Sequence, residues 1–491
     1  MEIMDTTLRD GEQTEGVSFT AEDKLEIAKY LLEKVKVDSI EIASARISEE
    51  EFNAVKKITK WGEENNCLNK IEVLGFVDGE KSINWIYESG GRVINLLVKG
   101  SLKHVEGQLR KSREEHLEDI KEVIKNAKEK NIKVNIYLED WSNGMFESKD
   151  YVFFLIENLE VNRIMLADTL GILNYEQTYE FVDELVKKFP TMNFDFHGHN
   201  DYDLAVANSI AAAKAGVKRL HVTVNGLGER AGNTKLASLI VSLKDLSEFN
   251  LNVDEKELNN LSLLVESLSG IRIARNTPIV GENVFTQNCG VHADGDKKGN
   301  LYQNKLIPER FGKERKYSLG KTSGVASIDQ NLKQLDINLD KEQKIKVLEK
   351  IKEIADKKQT ISREDLPYII GDVIGMPKEN KFELIDFEFK LNKNKLPEAW
   401  VKLKINNEEK EGKANGDGQY DAFMNALKKI INVPELLDYS IRIPPGGKTS
   451  ALVETTIKWK FENKTYTTIG VDSDQLLAAI EATIKILNNI L

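Results

Sequence analysis

The sequence predicts a (β/α)8 TIM barrel followed by a helical linker region and a C-terminal α+β domain. Three observations predict it. Up to about residue 246, eight short β-branched runs alternate with amphipathic helical stretches. Eight such units fill the ~250 residues typical of a barrel of this kind. The polar residues that interrupt the pattern gather at the C-terminal ends of the runs, the rim where barrels place reactive groups. A doubly wound open sheet is the alternative, but no GxGxxG follows the first run.

The runs are "EIMDTT" (2–7), "SIEIAS" (39–44), "IEVLGF" (71–76), "VINLLV" (93–98), "VNIYLE" (134–139), "RIMLAD" (163–168), "NFDFHG" (193–198) and "RLHVTV" (219–224). Between the first two lies "TAEDKLEIAKYLLEKV", in which Thr20 and Asp23 form a capping-box pattern and Leu25, Ala28, Leu31 and Leu32 share one face. Arg9 and Asp10 follow the first run, Glu139 ends the fifth, and Asp168 and Thr169 end the sixth. His197 and His199 end the seventh, and Asn225 follows the eighth.

After about residue 260 the rhythm stops. Residues 280–324 are rich in Gly and Asn and predict an irregular linker. Two or three helical stretches are expected over 326–375, the clearest being "DKEQKIKVLEKIKEIADKK". In the last hundred residues, strand-like "FELIDFEFKL" and "AWVKLKI" precede helical "YDAFMNALKKII". Then "YSIRIP", "ALVETTIKWKF" and "YTTIGV" precede helical "DQLLAAIEATIKILNNI", which suggests an internal pseudo-repeat. The expected domains are 1–262 (barrel), 263–378 (linker and helical subdomains) and 379–491 (α+β).

A chain of 491 residues, 41% hydrophobic and 30% charged, is too long for one core. Its net charge of −11 argues against a nucleic-acid surface. No run reaches the roughly 20 apolar residues of a membrane span, and the N-terminus lacks a signal pattern, so no membrane partner and a cytoplasmic location are expected. Two cysteines, Cys67 and Cys289, are too few for a disulfide framework or a thiolate zinc site.

"DFHGHNDYD" (195–203) carries the sharpest chemistry. His197 and His199, at i and i+2, project from the same face of one strand. The first and seventh strands both flank the eighth in a closed barrel, so Asp10 can approach from across the mouth. Two imidazoles and a carboxylate leave open positions for a substrate on one divalent ion.

Five segments also resemble a family: "DTTLRDGEQT" (5–14), "LADTLGIL" (166–173), "FHGHND" (196–201), "NGLGERAGN" (225–233) and "GENVFTQNCGVHADG" (281–295). They resemble the metal-dependent Claisen-condensing acyltransferases, namely the 2-isopropylmalate, homocitrate and citramalate synthases, over essentially the whole chain. The resemblance implies that a divalent ion (Zn, Mn or Mg) binds a 2-oxo acid, that the enolate of acetyl-CoA attacks its keto carbon, and that thioester hydrolysis follows. It implies Asp10, His197 and His199 as ligands, with Asn233 nearby. Arg9 would stand beside the developing alkoxide, or else form a salt bridge at the mouth. Thr169 would hydrogen-bond the substrate carboxylate, or cap the next helix. Glu139 and His292 are the candidate bases for the acetyl methyl. His292 and Tyr302 would come from the linker of one subunit to complete the mouth of the other, in an obligate homodimer. His104, His116 and His221 receive no role.

Substrate choice should follow the volume left beside the ion. Leu74, Leu97 and Tyr137 resemble the wall of the family's bacterial members that use pyruvate to make (R)-citramalate, and 2-oxoisovalerate, the 2-isopropylmalate synthase substrate, is the alternative. A homocitrate synthase would need a cation for a distal carboxylate, and no candidate stands out. "GDGQYDAF" (416–423) and "IPPGGKTSALVET" (443–455) resemble the family's regulatory domain, where the effector of a citramalate synthase would be isoleucine. Tyr420, Asp421, Leu436, Tyr439, Ile443, Val453 and Gln475 match that pocket, and Ser473 departs by standing in place of Pro. A non-catalytic amino-acid sensor would have lost a ligand or base from the rim. An aldolase or lyase of the same barrel class would need neither the His292 linker nor the regulatory tail.

Overall fold

Each of the eight β-branched runs becomes a strand. In the computed structural model, β1 (Glu2–Asp5), β2 (Ser39–Ser44), β3 (Ile71–Phe76), β4 (Val93–Lys99), β5 (Lys133–Glu139), β6 (Ile164–Asp168), β7 (Phe194–Gly198) and β8 (Arg219–Val222) form a closed barrel. The strands pair in parallel in chain order, and β8 returns to β1 with His221 opposite Met4. Closure excludes the open-sheet alternative. The structure describes residues 1–491 except 162, 248, 300, 336, 357–360, 362, 375–380, 407, 443–452, 463 and 491. The chain divides into two compact units, one of residues 1–285 with 304–314 and the other of 286–303 with 315–491.

In the first unit, strand side chains alternate between two environments. Ile40, Ile42, Ile94, Leu96, Val98, Ile136, Leu138, Phe194, Phe196 and Leu220 turn outward into the core under the helices, each fully or almost fully buried. Each such side chain contributes about 1.5–3 kcal/mol on leaving water. The intervening residues turn inward, and many are polar. Arg219 of β8 donates to Asp195 of β7 (2.8 Å) and Ser39 of β2 (2.8 Å), and Arg163 donates to the other oxygen of Asp195 (2.7 Å). Asn135 donates to Asn95 (3.0 Å), which donates to Glu41 (2.8 Å). Above them Met4, Leu74, Tyr137, Met165 and Ala167 make a small apolar cluster, with Phe76 and Leu97 packed against it. The covering helices begin on side-chain caps. The expected Thr20–Asp23 capping box is present, and Ser112–Glu115 and Asn174–Gln177 form two more.

The second unit differs from expectation in two places. Residues Gly290–Gly299, read as irregular, form a helix. Gly295 serves there as a packing residue, since a Cβ at that position would lie 2.4 Å from the Tyr302 ring. Helices Val325–Gln334, Lys341–Asp356 and Leu366–Ile374 follow, packed around Ile328, Val347, Ile351 and Leu366.

The C-terminal part carries three strands and a helix twice: Phe382–Asn392, Lys395–Ile405, Glu408–Asn415 with helix Gln419–Lys428, then Glu435–Arg442, Val453–Phe461, Lys464–Asp472 with helix Gln475–Ile490. Strand Glu408–Asn415 was not expected. It is an edge strand, mostly exposed and charged, so it lacks the apolar alternation that marks a half-buried strand. Ala399, Val401, Leu403, Phe423, Leu427, Ile457, Trp459 and Ile486 form one shared core. The expected boundary at 378–379 lies outside the described residues. Among the described residues no helix is long and apolar enough to cross a membrane.

Candidate metal centre

The chain turns sharply after β1 because the carbonyl of Thr6 accepts from the N–H groups of Arg9, Asp10 and Gly11 (3.1, 2.9 and 3.1 Å). That turn sets Asp10 at the barrel mouth. Two threonines tie it to the loop after β8: Thr7 Oγ1 accepts from Val224 N (2.8 Å), and Thr14 Oγ1 accepts from Gly228 N (2.7 Å). Gly228 has φ +149° and lies so close to Asn233 that a Cβ would stand 2.1 Å from its Nδ2. Asn233 in turn bridges to His199 through the backbone.

The result is a buried cluster. One ligand atom each from Asp10, His197 and His199 lies within 4.8 Å of the others. Nε2 of His197 is 3.1 Å from Oδ2 of Asp10, Nε2 of His199 is 4.0 Å from it, and the two Nε2 atoms are 3.3 Å apart. Two ligands set roughly 2.1 Å from one ion at near right angles would be about 3 Å apart, so these spacings suit a shared cation. Asp10 Oδ1 and Asn233 Oδ1 are also buried without a hydrogen-bond partner among the described residues, which leaves oxygen donors for an ion. Two imidazoles with carboxylate and amide oxygens fit a Zn, Mn or Mg-type ion without selecting one.

Electrostatics prepare the same groups. Burial alone would raise the Asp10 carboxyl, but the Arg9 charge and the hydrogen bond to His197 hold it far below the usual carboxylate range. It is therefore ionised. Burial pushes His199 down to about 4 against the pull of Asp10, so its lone pair is free at neutral pH.

Arg9 sits beside Asp10 at 3.2 Å, donates from Nε to Glu41 at 2.7 Å, and lies 5.5 Å from the centre of the Tyr137 ring. Glu41 was missed in the sequence. It is wholly buried and also accepts from Thr6 (2.7 Å) and Asn95 (2.8 Å). A Glu inside the apolar run "SIEIAS" was the available signal. Lys99 was missed as well, although it is the ion-pair partner of half-buried Glu139 across the β4–β5 register.

Thr169 Oγ1 accepts from Asp140 N (2.8 Å), which leaves its own proton to donate, and the next helix is capped by Asn174. Asp168 accepts from Ile172 N and Leu173 N, and Asn225 donates to Ser262 O. Leu74 and Tyr137 are buried in the apolar cluster inside the barrel, and Leu97 packs against it.

His292 and Tyr302 belong to the second unit. Their rings stack with centroids 4.1 Å apart, and His292 Nδ1 is 3.3 Å from Gln287 Oε1. Among the residues expected to bind an effector, Tyr420 and Tyr439 lie 5.3 Å apart ring to ring, and the Tyr420 hydroxyl is 2.6 Å from that of Thr483. Asp421 accepts from Asp417 N, Leu436 is exposed, Val453 is buried, and Gln475 opens the last helix. Ile443 lies outside the described residues. Ser473 donates to Asp472 (3.3 Å).

Comparison with known proteins gives matches along the whole chain. Residues 1–265 match the HMGL-like family, 279–359 match the homocitrate synthase post-HMGL domain-like family, and 360–491 match the LeuA allosteric (dimerisation) domain. Two relatives come from Methanocaldococcus jannaschii. An (R)-citramalate synthase is 33% identical, covering 100% of this chain and 99% of its own length. A 2-isopropylmalate synthase is 34% identical, covering 100% of this chain and 94% of its own length.

Proposed function

The chain belongs to the 2-isopropylmalate, homocitrate and citramalate synthase family of HMGL-like barrel enzymes, and from that premise we propose that it condenses acetyl-CoA with pyruvate to give (R)-citramalate and CoA. The supporting observation is the wall of Leu74, Leu97 and Tyr137 beside the Asp10–His197–His199 cluster, with the Tyr137 ring edge-on to His197 at 5.6 Å. Bulky side chains there leave room for the methyl of pyruvate and would overlap the isopropyl of 2-oxoisovalerate.

Asp10, His197, His199 and Asn233 would hold the divalent ion, which supplies Lewis-acid polarisation of the keto group and a template for the oxo acid. Arg9 places a fixed positive charge where the keto oxygen gains negative charge. Thr169 donates its hydroxyl proton to the substrate carboxylate. Glu139 takes a proton from the acetyl methyl, and Lys99 holds that carboxylate in place. The new carbon–carbon bond joins the acetyl methyl carbon to the keto carbon as the C=O π pair moves onto the keto oxygen, which takes up a proton from water to become the tertiary hydroxyl. Water then cleaves the thioester, releasing CoA and a free carboxylate. His292 is the second candidate base, and with Tyr302 it completes the mouth of a partner subunit in a homodimer.

The LeuA-type domain supports dimerisation and regulation, and isoleucine is the proposed effector at Tyr420, Asp421, Leu436, Tyr439, Ile443, Val453 and Gln475. A 2-isopropylmalate synthase is the second reading, favoured by the near-equal identity of the two Methanocaldococcus relatives. Thiol release from acetyl-CoA with pyruvate, 2-oxobutyrate or 2-oxoisovalerate, with and without chelator, separates the two. Turnover of 2-oxoisovalerate equal to that of pyruvate would overturn the pyruvate assignment.

A further inference from the structure

His221, to which no role was assigned above, lies on β8 and is bonded inside the barrel to side chains of β5 and β7. It is 1% exposed, and its ring lies 5.5 Å from those of both Tyr137 and His197. Nδ1 is 3.0 Å from the Tyr137 hydroxyl, and Nε2 is 3.3 Å from Oδ2 of Asp195. Both oxygens of Asp195 already accept from arginines, Oδ1 from Arg163 and Oδ2 from Arg219. A carboxylate that faces only donors takes an N–H from the imidazole at Nε2, and in that tautomer Nδ1 is an acceptor.

The Tyr137 hydroxyl has one proton and two acceptors in reach: His221 Nδ1 at 3.0 Å and Glu41 Oε2 at 3.3 Å. Glu41 is already supplied by Thr6, Arg9 and Asn95. We propose that His221 is a positioning residue for oxo-acid specificity: by accepting the Tyr137 hydroxyl it fixes the ring that walls the space beside Asp10, His197 and His199. This rests on the assignment of Tyr137 to the substrate wall. Without an acceptor on β8, the hydroxyl turns wholly to Glu41, the ring is free to tilt with it, and the wall loses its set distance from the oxo acid's side chain.

The test compares pyruvate with 2-oxobutyrate in the full-length wild type and in His221→Phe, His221→Gln, Tyr137→Phe and the His221→Phe/Tyr137→Phe double variant. Selectivity is read twice, as the ratio of kcat/KM from thiol release and as the ratio of affinities from calorimetric titration into Mn2+-loaded protein. His221→Phe keeps the ring volume but not the acceptor, and should lower the preference for pyruvate at least about fivefold, chiefly through KM. His221→Gln, which retains an acceptor, should restore at least half of it. The double variant should show no shift beyond that of Tyr137→Phe alone, because both changes cut one bond. Should His221→Phe fail to fold, His221→Asn, polar but too short to reach Tyr137, is expected to give the same shift. A preference within twofold of wild type, or a double-variant shift equal to the product of the single ones, overturns the proposal. A wild type that binds oxo acids but releases no thiol overturns the condensing activity instead, and the affinity ratio still decides the role of His221. A wild type that binds no oxo acid overturns both.

Discussion

Nε2 of His197 lies 3.1 Å from Oδ2 of Asp10, so an imidazole from β7 and a carboxylate from the loop after β1 meet at one point of the barrel mouth. An ionised carboxylate beside two imidazoles is a set of donors waiting for a cation. Asp10→Asn keeps the shape and removes the charge. Bound Mn2+, counted by atomic absorption after dialysis, should fall to a trace, and metal-dependent thiol release should fall by more than about a hundredfold. Far-ultraviolet circular dichroism should not change. An unaffected rate would remove Asp10 from the site.

Half-buried Leu97 packs against the apolar cluster of Met4, Leu74, Tyr137, Met165 and Ala167. Leu97→Ala opens space for a branched side chain. The ratio of kcat/KM for 2-oxoisovalerate over pyruvate should rise by about 10–200-fold, the range that a few methyl groups decide in an apolar pocket. An unchanged ratio would mean that Leu97 only fills the barrel.

Glu139 is held by Lys99 at the end of β5. Glu139→Gln should cut kcat by about 10²–10⁴-fold while calorimetric affinity for pyruvate stays within twofold, because a general base acts on the barrier and not on oxo-acid binding. A loss of affinity with unchanged kcat would reassign Glu139 to binding.

Burial pushes His116 down to about 4, with Asp119 pulling the other way. Its Nδ1 is 2.7 Å from the Tyr151 hydroxyl, which donates to Lys99 O (3.1 Å), so the neutral ring is the donor to Tyr151. The unfolded chain binds a proton here near pH 6.5, and the folded protein binds it only near pH 4. This contribution to stability is therefore complete above about pH 6.5 and disappears as pH falls through 4. Between pH 7 and pH 4, Tm at a fixed scan rate should drop further in the wild type than in His116→Phe. Parallel curves would refute it.

Lys24 is 1% exposed and bonds Glu51 and Glu12, each at 2.6 Å, as well as the carbonyl of Leu8 at 3.2 Å. Lys24→Met strands two carboxylates and should cost about 3–5 kcal/mol in urea unfolding. Because Leu8 and Glu12 bracket Asp10, metal affinity should weaken as well. A stability change below 1 kcal/mol would show that the carboxylates find water at no cost.

The barrel was legible because its outward-facing side chains are apolar at every second position, so strand edges fell within two residues of their predicted places. The rim was legible because polar groups at strand ends stand out against β-branched runs. Glu41, Glu72, Asn95 and Asn135 were harder to see, since each is one polar letter in an apolar stretch. Their partners, such as Glu41 for Asn95 and Arg219 for Glu72, come from strands distant in sequence. The helix at Gly290–Gly299 was hidden by glycines that usually mark loops, one of which allows Tyr302 to pack closely. Strand Glu408–Asn415 was hidden by its charge, which an edge strand tolerates and uses to repel unwanted pairing.

On the ribosome, a nascent polypeptide acquires Asp10 first and His199 far later, and the loop that carries Asp10 gains its ties to the loop after β8 only when Val224 and Gly228 have emerged to meet Thr7 and Thr14. An incompletely synthesised barrel thus lacks two of the contacts that set Asp10 opposite His197 and His199, and would capture an ion poorly. Loading with metal would then be a sign that translation has passed residue 228 and the ring has shut.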